Sequence, residues 1–494
     1  MPQAAAPTVV VVGAGISGLT AAYELLRLRP DVRVVVLDGA DRVGGKLALL
    51  EVGGLTVDAG AEALLARRPE AVDLAREVGL EADLVSPRTT SAGVWSRGRV
   101  AALPTGTLMG VPAWTRDAVG VLTAEEAAPI DREPALVARP VESDIDVASY
   151  VAARVGPAVV DRLVEPLLGG VYAGHASRLS LQATIPVLWA AAHAGQSLVA
   201  AARGQGEGTR LAKPAEPVFA GIRGGVGRLP LAVQAAVERL GGQVRTGVTV
   251  RELRPRSEAT ADRAADPAGA RWQVVTGSRA DEQVLAADAV VLAVPARPAS
   301  RLLSLSSPAA AAALGQVEAA SMALVTAVLP GVADLVGAAS SGFLVPPVEG
   351  RLVKAVTYSS AKWAWLAERG GPDLVVRLSV GRQGDEAVLQ RTDDELTDAV
   401  LAELSLALGA ALPAPSDTKV VRWGGGLPQY AVGHVDLVES VRTRVAEVGG
   451  LSVCGAYLDG LGVPACIAAA RAAAARVLTD LPGPGPDAGP TMGR

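Results

Sequence analysis

Thr8-Val9-Val10-Val11-Val12-Gly13-Ala14-Gly15-Ile16-Ser17-Gly18-Leu19 is the stretch from which the fold is read. Its β-branched opening suits a strand buried on both faces. Glycines at 13, 15 and 18 allow a tight turn, close backbone approach to a pyrophosphate and close helix–strand packing. Leu19–Leu28 then carries a helical pattern, and Val32–Leu37 is a second β run ending on Asp38. That acid stands where it can accept hydrogen bonds from ribose hydroxyls, while the helix N-terminus offers free N–H groups to an anion. The glycines alone are weak evidence. Strand, turn, helix and acid in this order point to a dinucleotide site.

Two further segments bear on which dinucleotide it is. Asp41-Arg42-Val43-Gly44-Gly45-Lys46 adds a second glycine pair and a lysine able to hold a phosphate, as in large FAD-containing oxidases. Near the far end, Cys454-Gly455-Ala456-Tyr457-Leu458-Asp459-Gly460-Leu461-Gly462-Val463-Pro464 is a glycine-rich turn entering a helix. Such a turn puts backbone N–H groups where a reduced flavin gathers negative charge. FAD is the expected cofactor, and the two chain ends build one site.

Composition narrows the rest. The 494 residues are too many for one simple core and suggest two or three lobes. Half are hydrophobic, which excludes a disordered chain. A net charge of −5 with no basic block argues against nucleic acid as a partner. Cys454 and Cys466 are the only cysteines, and His175, His193 and His434 are scattered, so no disulfide framework or metal site is expected. Met1–Pro7 has no basic residue of a signal peptide, and no run reaches ~18 apolar residues. A cytoplasmic protein is expected, with peripheral membrane contact left open.

Further along, Gly93–Leu103 reads as a hairpin, Asp146–Gly156, Pro157–Leu168 and Leu181–Ala202 as helices, and Gly204–Glu216 as a loop. Leu229–Leu240 reads as a helix, with strands at Val244–Thr246, Val248–Leu253, Trp272–Thr276 and Asp288–Val294. Arg256–Gly269 reads as a hairpin loop. Ala309–Ala323 and Asp393–Leu408 read as helices, with strands Ala323–Leu329, Leu352–Thr357 and Leu374–Val380 between them. Leu451–Val453 and Ile467–Leu478 close the pattern as strand and helix.

Three longer motifs carry a resemblance. Val164-Glu165-Pro166-Leu167-Leu168-Gly169-Gly170-Val171-Tyr172-Ala173-Gly174, Gly426-Leu427-Pro428-Gln429-Tyr430-Ala431-Val432-Gly433-His434 and the Gly460–Ile467 ending resemble the FAD-dependent porphyrinogen oxidases. With Gly224–Pro230 the resemblance spans about Val9 to Val477. It implies an α/β fold, α+β overall: a Rossmann-like FAD domain, a monoamine-oxidase-like substrate lobe and a helical lobe. The boundaries expected are 1–90, 217–295 and 424–480 for the FAD domain, 91–216 for the helical lobe that faces membrane in some relatives, 296–423 for the substrate lobe, and 481–494 for a disordered tail. Non-covalent FAD would meet Gly13, Ala14, Gly15, Ile16, Ser17 and Gly18 at the pyrophosphate and Asp38 and Gly39 at the ribose. Lys46, Gly60, Ala61, Glu62 and Ala63 would lie along the flavin, Val250 against the adenine, and Ala456, Leu461, Gly462 and Val463 at the isoalloxazine end. Ala465 and Ala470 depart from the family pattern around Cys466-Ile467.

The activity implied is oxidation of a porphyrinogen by O2: six electrons in three flavin cycles, releasing three H2O2. The segment Pro104–Pro112 is similar to the Gram-positive branch, which implies coproporphyrinogen III as substrate and a ferrochelatase as a transient partner; the alternatives are a protoporphyrinogen IX oxidase, an FAD-dependent amine oxidase and a non-catalytic flavin-bound porphyrin carrier. No catalytic acid or base is named. Cys466 and His434 read as structural residues, Tyr172 and Tyr430 as either core or cavity lining, and Glu165 as a turn brace.

Overall fold

Five strands from distant parts of the chain form a parallel sheet, in the order Gln243–Arg245, Arg33–Leu37, Thr8–Val12, Ala289–Leu292, Leu451–Val453. The computed structural model describes residues 6–137, 139–211, 218–256, 270–337 and 339–483. Val9, Val11, Val34 and Val36 face helices Ile16–Leu28, Arg228–Arg239 and Val463–Leu478. Val10, Val12, Val35 and Leu37 face a three-stranded antiparallel sheet, Glu252–Pro255, Trp272–Gly277 and Glu282–Ala287, and helices Ala296–Leu303, Pro308–Gly315 and His434–Ala446. Both faces are covered, so both need apolar residues, and this is why the strands read as unbroken β-branched runs. The α/β, Rossmann-like reading holds.

A seven-stranded sheet is the second layer, ordered Asp417–Pro428, Ala319–Leu329, Leu374–Val380, Val353–Tyr358, Gly342–Leu344, Gly93–Ser96, Arg99–Ala102. The hairpin read at Gly93–Leu103 is thus its edge. One face, with Ala323, Val325, Phe343, Val356, Val376 and Leu378, packs on helix Asp393–Leu408. A third core runs from Val94 to Ala202 and takes in Tyr430.

Several expectations need correction. The helix read over Leu181–Ala202 is three helices, Leu181–Thr184, Pro186–His193 and Leu198–Leu211. Pro186 drives Ile185 out of helical geometry (ψ 68°), and Gly195 turns the chain at φ +63°. Gly204–Glu216 is not a loop throughout, since the last helix runs to Leu211, while 212–217 lie outside the described residues. The strand read at Val248–Leu253 begins only at Glu252, and Ala309–Ala323 splits into helix Pro308–Gly315 and the start of strand Ala319–Leu329. Of the expected hairpin loop, 257–269 lie outside the described residues, as do 484–494 of the expected disordered tail. The region Pro157–Tyr172 is helical but widens to a π-turn over Val160–Val164, just ahead of Pro166, which has no N–H to give a regular helix.

Candidate functional site

All five parallel strands point the same way, so the loops at their carboxyl ends converge, where open α/β sheets bind ligands. The Gly13–Gly18 turn leaves Val12, Asp38 follows Leu37, and Cys454–Gly462 follows Val453. Gly13 has φ +107°, and a Cβ there would lie 2.6 Å from Ala293 O. A Cβ on Gly18 would sit 1.8 Å from Gly13 O, so this helix can leave the strand only at glycine. Gly15 differs. Its φ is an ordinary −70°, and nothing lies within 4 Å of a Cβ built on it. It caps helix Ile16–Leu28 without a side-chain cap bond or an acid in the first turn, which leaves the positive dipole end to an outside anion.

The remaining expected residues gather around this turn. Asp38 accepts from Ala14 N at 2.6 Å through one oxygen and from Ala40 N at 2.8 Å through the other. The segment carrying Val250 runs alongside: Val248 N donates to Asp38 O and Gly247 N to Ala40 O. Thr249 abuts Gly39. Gly44 N donates to Ala14 O at 2.8 Å, which stacks the second glycine turn on the first. Lys46 donates through Nζ to Gly426 O at 2.5 Å. Desolvation draws its ammonium below the usual lysine value although solvent still reaches the side chain, as on the wall of a narrow crevice.

Residues 60–63 are held more firmly than the sequence foretells. A Cβ on Gly60 would fall 1.9 Å from Lys46 O, so the two segments touch backbone to backbone. Glu62 accepts from Ser359 Oγ (2.8 Å), Lys362 Nζ (2.7 Å) and Arg377 Nη1 (2.7 Å), and Arg377 Nη2 donates to Gly60 O. Burial alone would raise the Glu62 carboxyl; the two cations outweigh it and hold the group well below its usual range. Asp58 accepts from Val226 N and Gly227 N at 3.0 and 2.8 Å. Burial raises its carboxyl to about 6. Asp58, Lys362 and Arg377 were missed as candidates. The signal for Arg377 was present: one cation in the otherwise uncharged strand Leu-Val-Val-Arg-Leu-Ser-Val.

At the other end of the crevice, Gly455 (φ +143°) and Gly460 (φ +152°) shape the turn that carries Ala456, Leu461, Gly462 and Val463. Tyr430 donates to Ala456 O at 2.5 Å, and its ring stacks on His434 at 3.9 Å and 11°. His434 is buried and donates through Nε2 to Leu458 O at 3.1 Å; burial lowers its pKa. Tyr172 lies against Tyr430 at 5.4 Å. His434 is therefore structural, as read, and both tyrosines are core residues. Cys466 is buried, and burial raises its thiol. Glu165 accepts from Ala176 N at 2.7 Å and pairs with His175 Nδ1 at 2.9 Å, bracing the turn after helix Glu165–Tyr172.

This helix packs on the seven-stranded sheet at strands Gly342–Leu344 and Val353–Tyr358. Met322, Leu344, Ala355, Val421 and Trp423 alternate with the core residues of their strands and are half-buried. A Cβ on Gly170 would meet Leu344 at 3.5 Å, and Trp423 Nε1 donates to Ala59 O at the border nearest Lys46. No cluster of metal-ligating side chains occurs among the described residues, and none of their helices is long and apolar enough to cross a membrane.

Residues 16–478 match the family model described as flavin containing amine oxidoreductase. The chain belongs to that family. It is 38% identical over 485 residues to a coproporphyrinogen III oxidase of Mycobacterium tuberculosis, covering 95% of this chain and 97% of that one. It is 27% identical over 483 residues to a coproporphyrinogen III oxidase of Bacillus subtilis, covering 96% and 98%. A crystal structure from Exiguobacterium sp. 255-15, assigned as a protoporphyrinogen oxidase, superposes with a TM-score of 0.81 at 29% identity, covering 97% and 100%. These relatives bear out the resemblance drawn from the three motifs. The protein is an FAD-dependent oxidoreductase, and the open approach to Gly15 and the uncapped helix fit a dinucleotide.

The double engagement of Asp38 sharpens one expectation. Asp38→Ala removes two backbone braces as well as any ribose contact, so FAD binding should weaken by ~1–3 kcal/mol. Fluorescence titration of the apoprotein measures this; an unchanged dissociation constant would contradict it.

Proposed function

We propose that this oxidoreductase converts coproporphyrinogen III to coproporphyrin III with O2 as acceptor. The observation that supports it most is the end-to-end match to coproporphyrinogen III oxidases, 38% identical over 95% of the chain. In this reading residues 13–18, 38–39, 46, 60–63, 250, 456 and 461–463 hold FAD, and the face of the seven-stranded sheet that carries Met322, Leu344, Ala355 and Val421 takes the macrocycle. The FAD domain, helical lobe and substrate lobe are read as 1–90 with 217–295 and 424–480, 91–216, and 296–423, although Gly93–Ser96 and Arg99–Ala102 join the seven-stranded sheet of the substrate lobe and its strand Asp417–Pro428 runs past 423.

When bound, FAD supplies the hydride acceptor for a meso carbon of the substrate. The chain supplies placement. Met322, Leu344, Ala355 and Val421 offer an apolar floor to a flat ring and exclude water beneath it. No side chain is assigned as a base, and in this reading the pyrrole N–H proton leaves to solvent. Six electrons leave in three rounds, each yielding one H2O2. An amine oxidase would want aromatic rings free to cage an amine, whereas Tyr172 and Tyr430 are buried, with Tyr430 stacked on His434. The protein is read as cytoplasmic, passing its product to a ferrochelatase, with peripheral membrane contact and oligomeric state as further points for experiment.

Coproporphyrinogen carries four propionates, and burying an unpaired carboxylate is costly, so the site must leave them near solvent. With both porphyrinogens prepared anaerobically, kcat/KM should favour coproporphyrinogen III by about tenfold, equivalent to ~1.4 kcal/mol. A preference for protoporphyrinogen IX would overturn the substrate assignment, and H2O2 release with amines alone would overturn the reaction class.

The cofactor should be non-covalent. Arg422–Gly426 contains no Cys or His, and Cys454 and Cys466 are both buried. Acid precipitation of the yellow protein should leave all flavin in the supernatant; colour retained by the pellet would refute this.

A further inference from the structure

We propose that Arg377 is a positioning residue for the flavin, acting through Gly60 and Glu62. The inference rests on the reading that residues 60–63 lie along the cofactor. Arg377 sits in the central strand Leu374–Val380, in register with Thr326 on one side and Thr357 on the other. Its side chain leaves the face opposite the Asp393–Leu408 helix and is only 6% exposed. Two of its nitrogens grip one short segment, Nη1 on the Glu62 carboxylate and Nη2 on the Gly60 carbonyl. A forked grip of this kind fixes direction as well as distance. The other side of Gly60 rests on the Lys46 backbone, with no room for a Cβ between them. Residues 60–62 are therefore clamped between the Lys46 backbone and the seven-stranded sheet.

The Glu62 carboxylate has a second cation, Lys362, and a hydroxyl, Ser359. These differ from Arg377 in one respect: neither touches Gly60. Charge balance is shared by Lys362 and Arg377, whereas of the three groups on Glu62 only Arg377 also holds the Gly60 backbone. This separates positioning from stability. Loss of Arg377 leaves Glu62 neutralised by Lys362, so the chain still folds, but frees the Gly60 carbonyl and lets the segment drift from Lys46. Flavin affinity and the electronic environment of the ring should both change.

The test compares Arg377→Gln, Arg377→Lys and Lys362→Met in the full chain, read by FAD titration of the apoprotein, the shape of the flavin absorption bands and thermal unfolding. Arg377→Gln should weaken FAD binding at least tenfold and shift the bands. Arg377→Lys restores the ion pair without the fork and should recover only part of the affinity. Lys362→Met should lower the unfolding temperature while keeping FAD affinity within about twofold of wild type and the bands unchanged. Equal loss of FAD affinity in Lys362→Met and Arg377→Gln would show a charge effect only and overturn the proposal, as would wild-type binding and bands in Arg377→Gln. If Arg377→Gln does not fold, full affinity and bands in Arg377→Lys would overturn it. None of these readouts uses a porphyrinogen, so a wrong substrate assignment leaves the outcome intact. Gly15→Val in parallel distinguishes failure of the dinucleotide site from failure of the clamp.

Discussion

Gly15→Val yields a folded protein that holds no FAD. The backbone at Gly15 (φ −70°, ψ 177°) is one that valine adopts readily, and nothing lies within 4 Å of the added Cβ. The substitution therefore leaves the fold alone and places its methyl groups where the pyrophosphate must approach the helix N-terminus. Gly13 and Gly18 would give no such clean result, because a Cβ at either strikes backbone. Affinity should fall by more than a hundredfold, ~2.8 kcal/mol. Circular dichroism of the apoproteins should superpose, while flavin co-purifies with wild type only. Equal flavin occupancy would reduce the glycine motif to a turn.

Glu62→Ala is expected to have the largest effect on stability. It leaves Lys362 and Arg377, both largely buried, without their shared carboxylate. Breaking a buried ion pair from one side costs ~3–5 kcal/mol. Denaturant midpoints of wild type and variant measure the difference, and a change under ~1 kcal/mol would show that solvent or a neighbour compensates. The pH dependence carries the same signature. The folded-state pKa of Glu62 is depressed, so its contribution is present above the unfolded value of ~4.3 and is lost as pH falls toward the folded value. Wild type should lose stability with acid below pH ~4, and Glu62→Gln should lack that component.

The sequence disclosed those parts of the molecule in which local chemistry and tertiary role coincide. Thr8–Val12, the glycine turn and Asp38 were legible because a single stretch carries strand, turn and ligand acid. Leu451–Val453 was read to the residue, while its helix begins at Val463, four residues before the reading, since Pro464 is tolerated in a first turn. What stayed hidden depends on partners distant in sequence. Glu62 was read as a residue beside the flavin, yet its carboxylate is committed to Lys362 and Arg377, 300 and 315 positions away. Asp58 ends strand Leu55–Asp58 and holds the Gly225–Gly227 turn, 168 and 169 positions away. The break of Leu181–Ala202 at Pro186 was visible in the sequence, but a mainly apolar run masked it.

The sheet order imposes a timetable on biosynthesis. Thr8–Val12 emerges first from the ribosome and finds Arg33–Leu37 almost at once, but its other neighbour, Ala289–Leu292, is some 280 residues later. Ala289–Leu292 in turn waits for Leu451–Val453. Until those later strands are made, the nascent chain exposes a β-branched edge able to pair with any passing strand. Closing such separated contacts is slow. Synthesis of Leu451–Val453, rather than of the first glycine turn, is then the event that completes the five-stranded sheet, and a message cut short before codon 451 would yield a sticky fragment instead of a smaller flavoprotein.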